Sequence, residues 1–222
     1  MNQTISRYAG LLQWIAALLM PIFFTLLSLY IFMTPQFIEW QYSRPDYPHA
    51  ERFTDKARLY NSVQTVLYTR GQISEQDLIN LGVYNDREIK HLVDVYNVTR
   101  IMFIIEPIAF VVIVTALFLL WRNPSTRINT ARALFYGGIF TFLFIGGIGL
   151  FVVFAFDVFF VTFHHIFFEG DSWLFFTTDS LIQFYPEVFW MTASYLIALF
   201  VLFWAVVATA VGAYGMRKAS RA

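Results

Sequence analysis

Four stretches of this chain, from about Tyr8 to Thr34, Ile101 to Trp121, Leu134 to Phe160 and Val188 to Val211, are long and apolar enough to cross a hydrocarbon core as helix. That restricts the fold severely. Lipid offers no hydrogen-bond partner to an open backbone, so such segments must be helices. The sequence therefore predicts an all-α integral membrane protein with four transmembrane helices. Composition agrees: 58% of residues are hydrophobic and 14% are charged, against about 25% charged in ordinary soluble domains. Pro21 and Pro107 fall inside the first two stretches, where a membrane helix tolerates a kink. The first stretch exceeds the apolar run of a signal peptide and has no small-x-small cleavage site after it, so it is read as a retained span.

The charges between the spans are sorted by sign. Arg7 precedes the first span, Arg122, Arg127 and Arg132 separate the second from the third, and Arg217, Lys218 and Arg221 follow the fourth, with no acid among them. All 15 acidic residues lie in or at the edge of the two remaining loops, and the loop at 161–187 has no Lys or Arg. By the positive-inside rule both termini are cytoplasmic and both acidic loops are outside. Trp14, Trp40, Trp121 and Trp190 fall near span ends, where interfacial tryptophan is expected. Gly137, Gly138, Gly146, Gly147 and Gly149 crowd the third span and read as close helix packing. Glu106, at the start of the second, is expensive in lipid without water or a partner.

The outer loop at 35–100 is too long for a simple connection. Phe53, Ala57, Tyr60, Val63 and Leu67 recur at helical spacing. "SEQD" at 74–77 has the form of a capping box with Ser74 as N-cap, and Gly82 would end its helix. "NDRE" at 85–88 repeats the signal, with Asn85 as N-cap and Glu88 reaching back. The loop is thus expected to form a small helical extracytoplasmic cap. The second loop is crowded with aromatic residues (Phe163, Phe167, Phe168, Trp173, Phe175 and Phe176 among them) that cannot all face water cheaply.

Without cysteine there is no thiolate nucleophile, Fe–S cluster or cysteine-based zinc site. No GxSxG marks a serine hydrolase. Net charge is zero, and no nucleic-acid partner is expected. Of four histidines, His49 reads as structural. His91 is flanked on one helix face by Glu88 and Asp94, and His164 lies two turns beyond Asp157. Two imidazoles at a dry boundary suit general acid–base work on a substrate that brings its own nucleophile. A zinc site of His91, Asp94 and His164 is the metal alternative, without support from an HExxH motif.

"YNDREIKHLVDV" at 84–95, "FHHIFFEGDSWLF" at 163–175 and "DSLIQFYPEVFW" at 179–190 resemble the signature regions of the lipoprotein intramolecular transacylases. The resemblance implies four spans with an outer cap in the bacterial cytoplasmic membrane, no cofactor, and a lipid-anchored lipoprotein substrate. It implies transfer of an acyl chain from the sn-2 position of the diacylglyceryl group to the α-amino group of the N-terminal cysteine, giving the lyso-form. It also implies two catalytic histidines, His91 and His164, with His165 at the motif's variable position. Glu88, Asp94, Asp157, Trp173 and Asp179 are candidates for orienting the substrate or shaping the site. Two rival readings remain. One is a non-catalytic membrane protein whose cap docks a secreted or lipidated partner, and the other is a metal-dependent membrane hydrolase, which chelation would silence.

Overall fold

The computed structural model describes residues 2–50, 52–168 and 170–220, with side chains from Arg7 onward. Arg221, counted among the basic residues of the tail, and Glu169, within the histidine motif, lie outside the described residues. Among the described residues every regular element is helical. In chain order they are α1 (Asn2–Phe32), α2 (Pro35–Tyr42), α3 (Asp55–Thr69), α4 (Glu75–Asn80), α5 (Asp86–Arg122), a 3₁₀ turn (Pro124–Thr126), α6 (Arg127–Phe154), α7 (Phe156–Phe167), α8 (Ser180–Phe184) and α9 (Glu187–Ala219). Four of these helices are long and apolar enough to cross a membrane: α1, α5, the segment containing α6, and α9. The third apolar stretch, expected as one helix over 134–160, is interrupted. Ala155 takes φ −152° and ψ 54°, so α6 stops at Phe154 and α7 starts afresh.

The chain divides into two compact units. The first comprises Met1–Ser28, Ile104–Leu150 and Leu196–Ala222. Its helices meet through small residues. A methyl group added at Gly138 would come within 2.6 Å of the Ala205 carbonyl oxygen, and one at Gly212 within 2.6 Å of that of Ala131. Gly137 lies close against Ala17 and Met20. With little hydrophobic drive between helices in lipid, such contact supplies the dispersion that holds them. A methyl group added at Gly146, Gly147 or Gly149 would meet nothing within 4 Å, so close packing accounts for only part of that cluster. Ala16, Ala116 and Ala133 form the buried centre, and Trp14 stacks on Tyr136. The outward surface is apolar, with Leu11, Val111, Leu143 and Leu199 exposed.

The second unit comprises Leu29–Phe103 and Phe151–Tyr195. Its local starts and stops follow the sequence. Ser74 and Asp77 form a reciprocal capping box on α4, and Gly82 follows that helix with φ +66°. Asn85 and Glu88 cap α5 in the same way, the Asn85 backbone N–H donating to Glu88 Oε2 at 2.8 Å and the Glu88 N–H to Asn85 Oδ1 at 3.0 Å. The last carbonyls of α1 and its extension, Tyr30 and Met33, accept from Arg70 at 3.0 and 2.7 Å.

Helix α3 turns a polar face inward. Arg58, Asn61, Ser62, Thr65 and Thr69 are buried, while Tyr60 of the apolar series is exposed. Arg58, 1% exposed, donates to the Gln183 carbonyl through Nε and a terminal nitrogen (3.0 and 2.6 Å) and to the Pro48 carbonyl (2.7 Å). Its guanidinium lies against the Tyr42 and Tyr47 rings. Tyr42 and Tyr47 both donate to the Phe184 carbonyl, and Tyr185 donates to that of Ser62. This network clamps residues 183–185 onto α2 and α3.

Candidate functional site

Helix α5 carries His91 and Asp94 in its polar first turns, before the apolar stretch opens at Ile101. At 1.5 Å per residue its 37 residues measure about 55 Å, well beyond a hydrocarbon core of about 30 Å. His91 therefore precedes that apolar stretch by about 15 Å along the helix. Helix α7 carries His164 in its last turn. The fold brings the two imidazoles face to face, with ring centroids 6.1 Å apart and planes 24° from parallel. Of the histidine doublet, His164 faces His91, and His165 is exposed with its ring edge-on to Trp173 at 5.2 Å.

Aromatic rings enclose the pair. Phe168 and Phe175 lie 4.8 and 5.4 Å from His91, and Phe160 and Trp173 lie 4.1 and 4.8 Å from His164. Phe160, His164 and Phe168 are one helical turn apart, so their neighbourhood follows from the local period. Trp173 is fixed by its indole N–H, which donates to the Gly170 carbonyl at 3.1 Å.

This surround sets the electrostatics. His91 is 8% exposed; burial, reinforced by nearby His164, holds its pKa down to about 4. Its Nδ1 is buried and has no hydrogen-bond partner among the described residues. Burial lowers the His164 pKa too, opposed by a 2.7 Å bond between its Nδ1 and the Phe160 carbonyl. A carbonyl only accepts, so Nδ1 carries the proton. In neutral His164 the lone pair is then on Nε2.

The five other candidates separate clearly. Glu88 is 1% exposed, and both its oxygens are used: Oε2 at Asn85, and Oε1 by the Leu181 N–H at 2.7 Å. Burial pushes its carboxyl above the usual range, with those backbone donors opposing. Asp179 is equally committed. It accepts from Asn85 Nδ2 (3.2 Å), Arg87 (2.9 Å) and the Phe176 N–H (2.8 Å). Together these two carboxylates tie the second loop to the start of α5. Asp157 is exposed in the first turn of α7, where a carboxylate complements the helix dipole, about 10 Å along the axis from His164. Trp173 is part of the enclosure. Asp94 is half-buried, one turn beyond His91, and accepts from Ser172 at 3.4 Å.

Three contributors escaped the sequence reading. Phe160 completes the ring cage, Arg87 lies over Phe175 and Phe176 while paired with Asp179, and buried Ser172 reaches Asp94. Only Phe160 had a local signal, its i, i+4 relation to His164. Among the described residues no group of three or more His, Asp or Glu side chains is arranged to hold a metal ion. The separate zinc set of His91, Asp94 and His164 is therefore not assembled there.

Comparison with known proteins adds the decisive observation. Residues 12–190 match the family model of the lipoprotein intramolecular transacylase Lit. The chain belongs to that family. A curated relative, an uncharacterised protein of Aquifex aeolicus (strain VF5), is 26% identical over 196 residues, covering 85% of this chain and 87% of its own. The in meso structure of the membrane integral lipoprotein intramolecular transacylase Lit from Bacillus cereus is similar in fold. Its TM-score is 0.77 at 20% identity, covering 98% of this chain and all of that one. A variant of the same protein with one histidine replaced by arginine gives a TM-score of 0.67 at 17% identity, over 99% of this chain and 96% of that one. The family, the fold and the four apolar helices make this a multi-pass membrane protein.

Proposed function

We propose that this member of the family moves an acyl chain within one lipid-anchored lipoprotein, from the sn-2 ester of the diacylglyceryl group to the α-amino group of the N-terminal cysteine. The product is the lyso-form. The observation that carries this reading is the facing pair of imidazoles, 6.1 Å apart in an aromatic enclosure, in a chain without a cysteine. The substrate supplies both nucleophile and electrophile, so the protein's work is orientation, proton movement and exclusion of water.

In this reading the tautomers assign the roles. His164, with Nδ1–H held by the Phe160 carbonyl, offers its Nε2 lone pair as general base. Orphaned buried N–H groups are rarer than under-satisfied acceptors. The buried Nδ1 of His91 is accordingly the unprotonated nitrogen, and its Nε2–H is the donor to the ester oxygens. The amine attacks the ester carbonyl as its proton passes to His164. The tetrahedral intermediate then collapses, the carbon–oxygen bond to glycerol breaks, and the glyceryl oxygen takes up a proton through the imidazole pair. One amide forms, one ester breaks, and no proton is gained or lost when the amine enters neutral. Each proton transfer is worth about 10²–10⁴-fold. The rings of Phe168, Trp173 and Phe175 keep out the water that would hydrolyse the ester.

The same reading makes 8–34, 101–121, 134–160 (broken at Ala155) and 188–211 the four spans of one membrane domain. The sorted charges support both termini on the cytoplasmic side of a bacterial cell membrane, with residues 35–100 as an extracytoplasmic cap and 161–187 as a second outer loop. A crossover experiment tests the chemistry. Two diacylglyceryl lipopeptides, one with heavy acyl chains and one with a heavy peptide, are incubated together with the purified protein in nanodiscs. N-acyl products that keep their parental isotope pairing are expected. Scrambled pairing, or free fatty acid in place of amide, would overturn the proposal.

A further inference from the structure

Three of the candidate carboxylates belong to α5 and the second loop: Glu88 and Asp94, which flank His91 along the helix, and Asp179. Two are fully engaged, since Glu88 accepts from Asn85 and Leu181 and Asp179 from Asn85, Arg87 and Phe176. Neither can take a ligand without releasing the second loop from α5. Asp94 differs. The hydroxyl of Ser172 reaches its Oδ2 at 3.4 Å, a long bond, and among the described residues its Oδ1 has no donor. No Lys or Arg is within ion-pair distance of it there. Lys90, one turn earlier on α5, is exposed.

Its position is informative. Asp94 is three residues beyond His91, so their Cβ atoms lie about 5–6 Å apart on neighbouring parts of one helix face. Its Ser172 partner adjoins Trp173, whose ring packs on His164. The carboxylate thus borders the enclosure from which both histidines work. Among the described residues Asp94 has no counter-charge within ion-pair distance. The proposed substrate brings one such charge, the ammonium of its N-terminal cysteine, which has a pKa of about 7.7–8.0 in the unperturbed state.

We infer that Asp94 is the receptor for the α-ammonium group of the substrate, and so the residue that selects lipoproteins with a free amino terminus. The inference rests on the proposed reaction for the identity of its ligand. Asp94 acts in binding: it accepts a charge-assisted hydrogen bond from the ammonium and presents the nitrogen to His164. When the ammonium gives up its proton to become a nucleophile, that proton leaves for solvent through His164. Glu88 and Asp179 hold the loop, and Asp94 reads the substrate.

Binding of unreactive ligands tests this without turnover. One probe is a dialkylglyceryl lipopeptide with ether links in place of both esters and a free amino terminus. The second is its N-acetyl form, which has no ammonium. The protein in nanodiscs is compared with Asp94→Asn, which keeps an acceptor for Ser172, and with Asp94→Glu, which keeps the charge. Asp94→Asn is expected to weaken the free-amine ligand by about 10–100-fold, the range of a charge-assisted hydrogen bond. The N-acetyl ligand should bind both proteins within about twofold, and Asp94→Glu should restore part of the affinity. With the ester substrate, Asp94→Asn should raise KM much more than it lowers kcat. Equal affinities of wild type and Asp94→Asn for the free-amine ligand would overturn the inference. So would an equal loss for both ligands, which would mark a general structural role. If wild type binds the ether probe yet transfers no acyl group from the ester, the proposed reaction fails, and the Asp94→Asn comparison still decides the receptor.

Discussion

Replacing Glu88 with Gln separates a structural carboxylate from a chemical one. In the native site Oε2 accepts from the Asn85 N–H and Oε1 from the Leu181 N–H. Glutamine has one oxygen to offer, so one N–H must face an amide NH₂. The choice is set by burial: Leu181 is buried and Asn85 is exposed. The oxygen will turn to Leu181, and water will take over at Asn85. The loss is then one charge-assisted hydrogen bond with a solvated donor, about 1.5–3 kcal/mol. Removing a buried charge offsets part of it, since burial already disfavours the ionised form. The net cost is about 1–2 kcal/mol. Glu88→Ala has no such escape. It orphans the Leu181 N–H, leaves a void and should cost about 3–4 kcal/mol. Equilibrium unfolding in mixed micelles measures both, and hydrogen exchange at the Leu181 amide should speed up sharply only in the Ala variant. If Gln cost nothing in stability yet abolished acyl transfer, Glu88 would be part of the chemistry, and its role as the tie between α5 and the second loop would be the wrong account. Equal destabilisation by Gln and Ala would refute the burial argument.

Arg58→Ala should destabilise the protein by about 3–5 kcal/mol, because it removes the hydrogen bonds that the buried guanidinium donates to the Gln183 and Pro48 carbonyls inside the second unit. Arg58→Lys should not restore the loss, as an ammonium cannot fork to the same carbonyl; thermal unfolding in detergent reads both. Burial lowers the pKa of both imidazoles, so NMR titration of the labelled rings in the substrate-free protein should place both below the ordinary histidine value of about 6.5. Either ring titrating at or above pH 7 would contradict the dry enclosure. For stability the sign follows from His91. Its folded pKa of about 4 is below its unfolded value, so its contribution is complete above about pH 6.5 and is lost as pH falls towards 4. His91→Phe should flatten that part of the pH–stability curve.

What could be read from the sequence was mostly local. The capping boxes at Ser74 and Asn85 depend on residues three apart, and the structure builds both. The four apolar helices needed only length and composition. The inward face of α3 was hidden, because the acceptors that satisfy Arg58 and the tyrosines belong to residues 183 and 184, more than a hundred positions away. The break at Ala155 had no signal either, since residues 151–159 contain neither Gly nor Pro. At the site, the spacing of Glu88, His91 and Asp94 placed three polar side chains on one helix face. It could not show that Glu88 is consumed by a backbone amide of a distant loop while Asp94 keeps a free oxygen. The sequence made Glu88 and Asp94 look equivalent beside His91, and tertiary hydrogen bonds distinguish them.

The most direct test of the account is a mass spectrum of the N-terminal lipopeptide of one reporter lipoprotein, made in a host that produces only diacylglyceryl lipoproteins. The wild-type protein is co-expressed, and so are His91→Ala and His164→Ala at matched levels in the membrane. The account predicts fragments that place one acyl chain on the cysteine amine with wild type, and an unaltered diacylglyceryl form with either variant. An unaltered reporter beside folded wild-type protein, or full conversion by both variants, would contradict it.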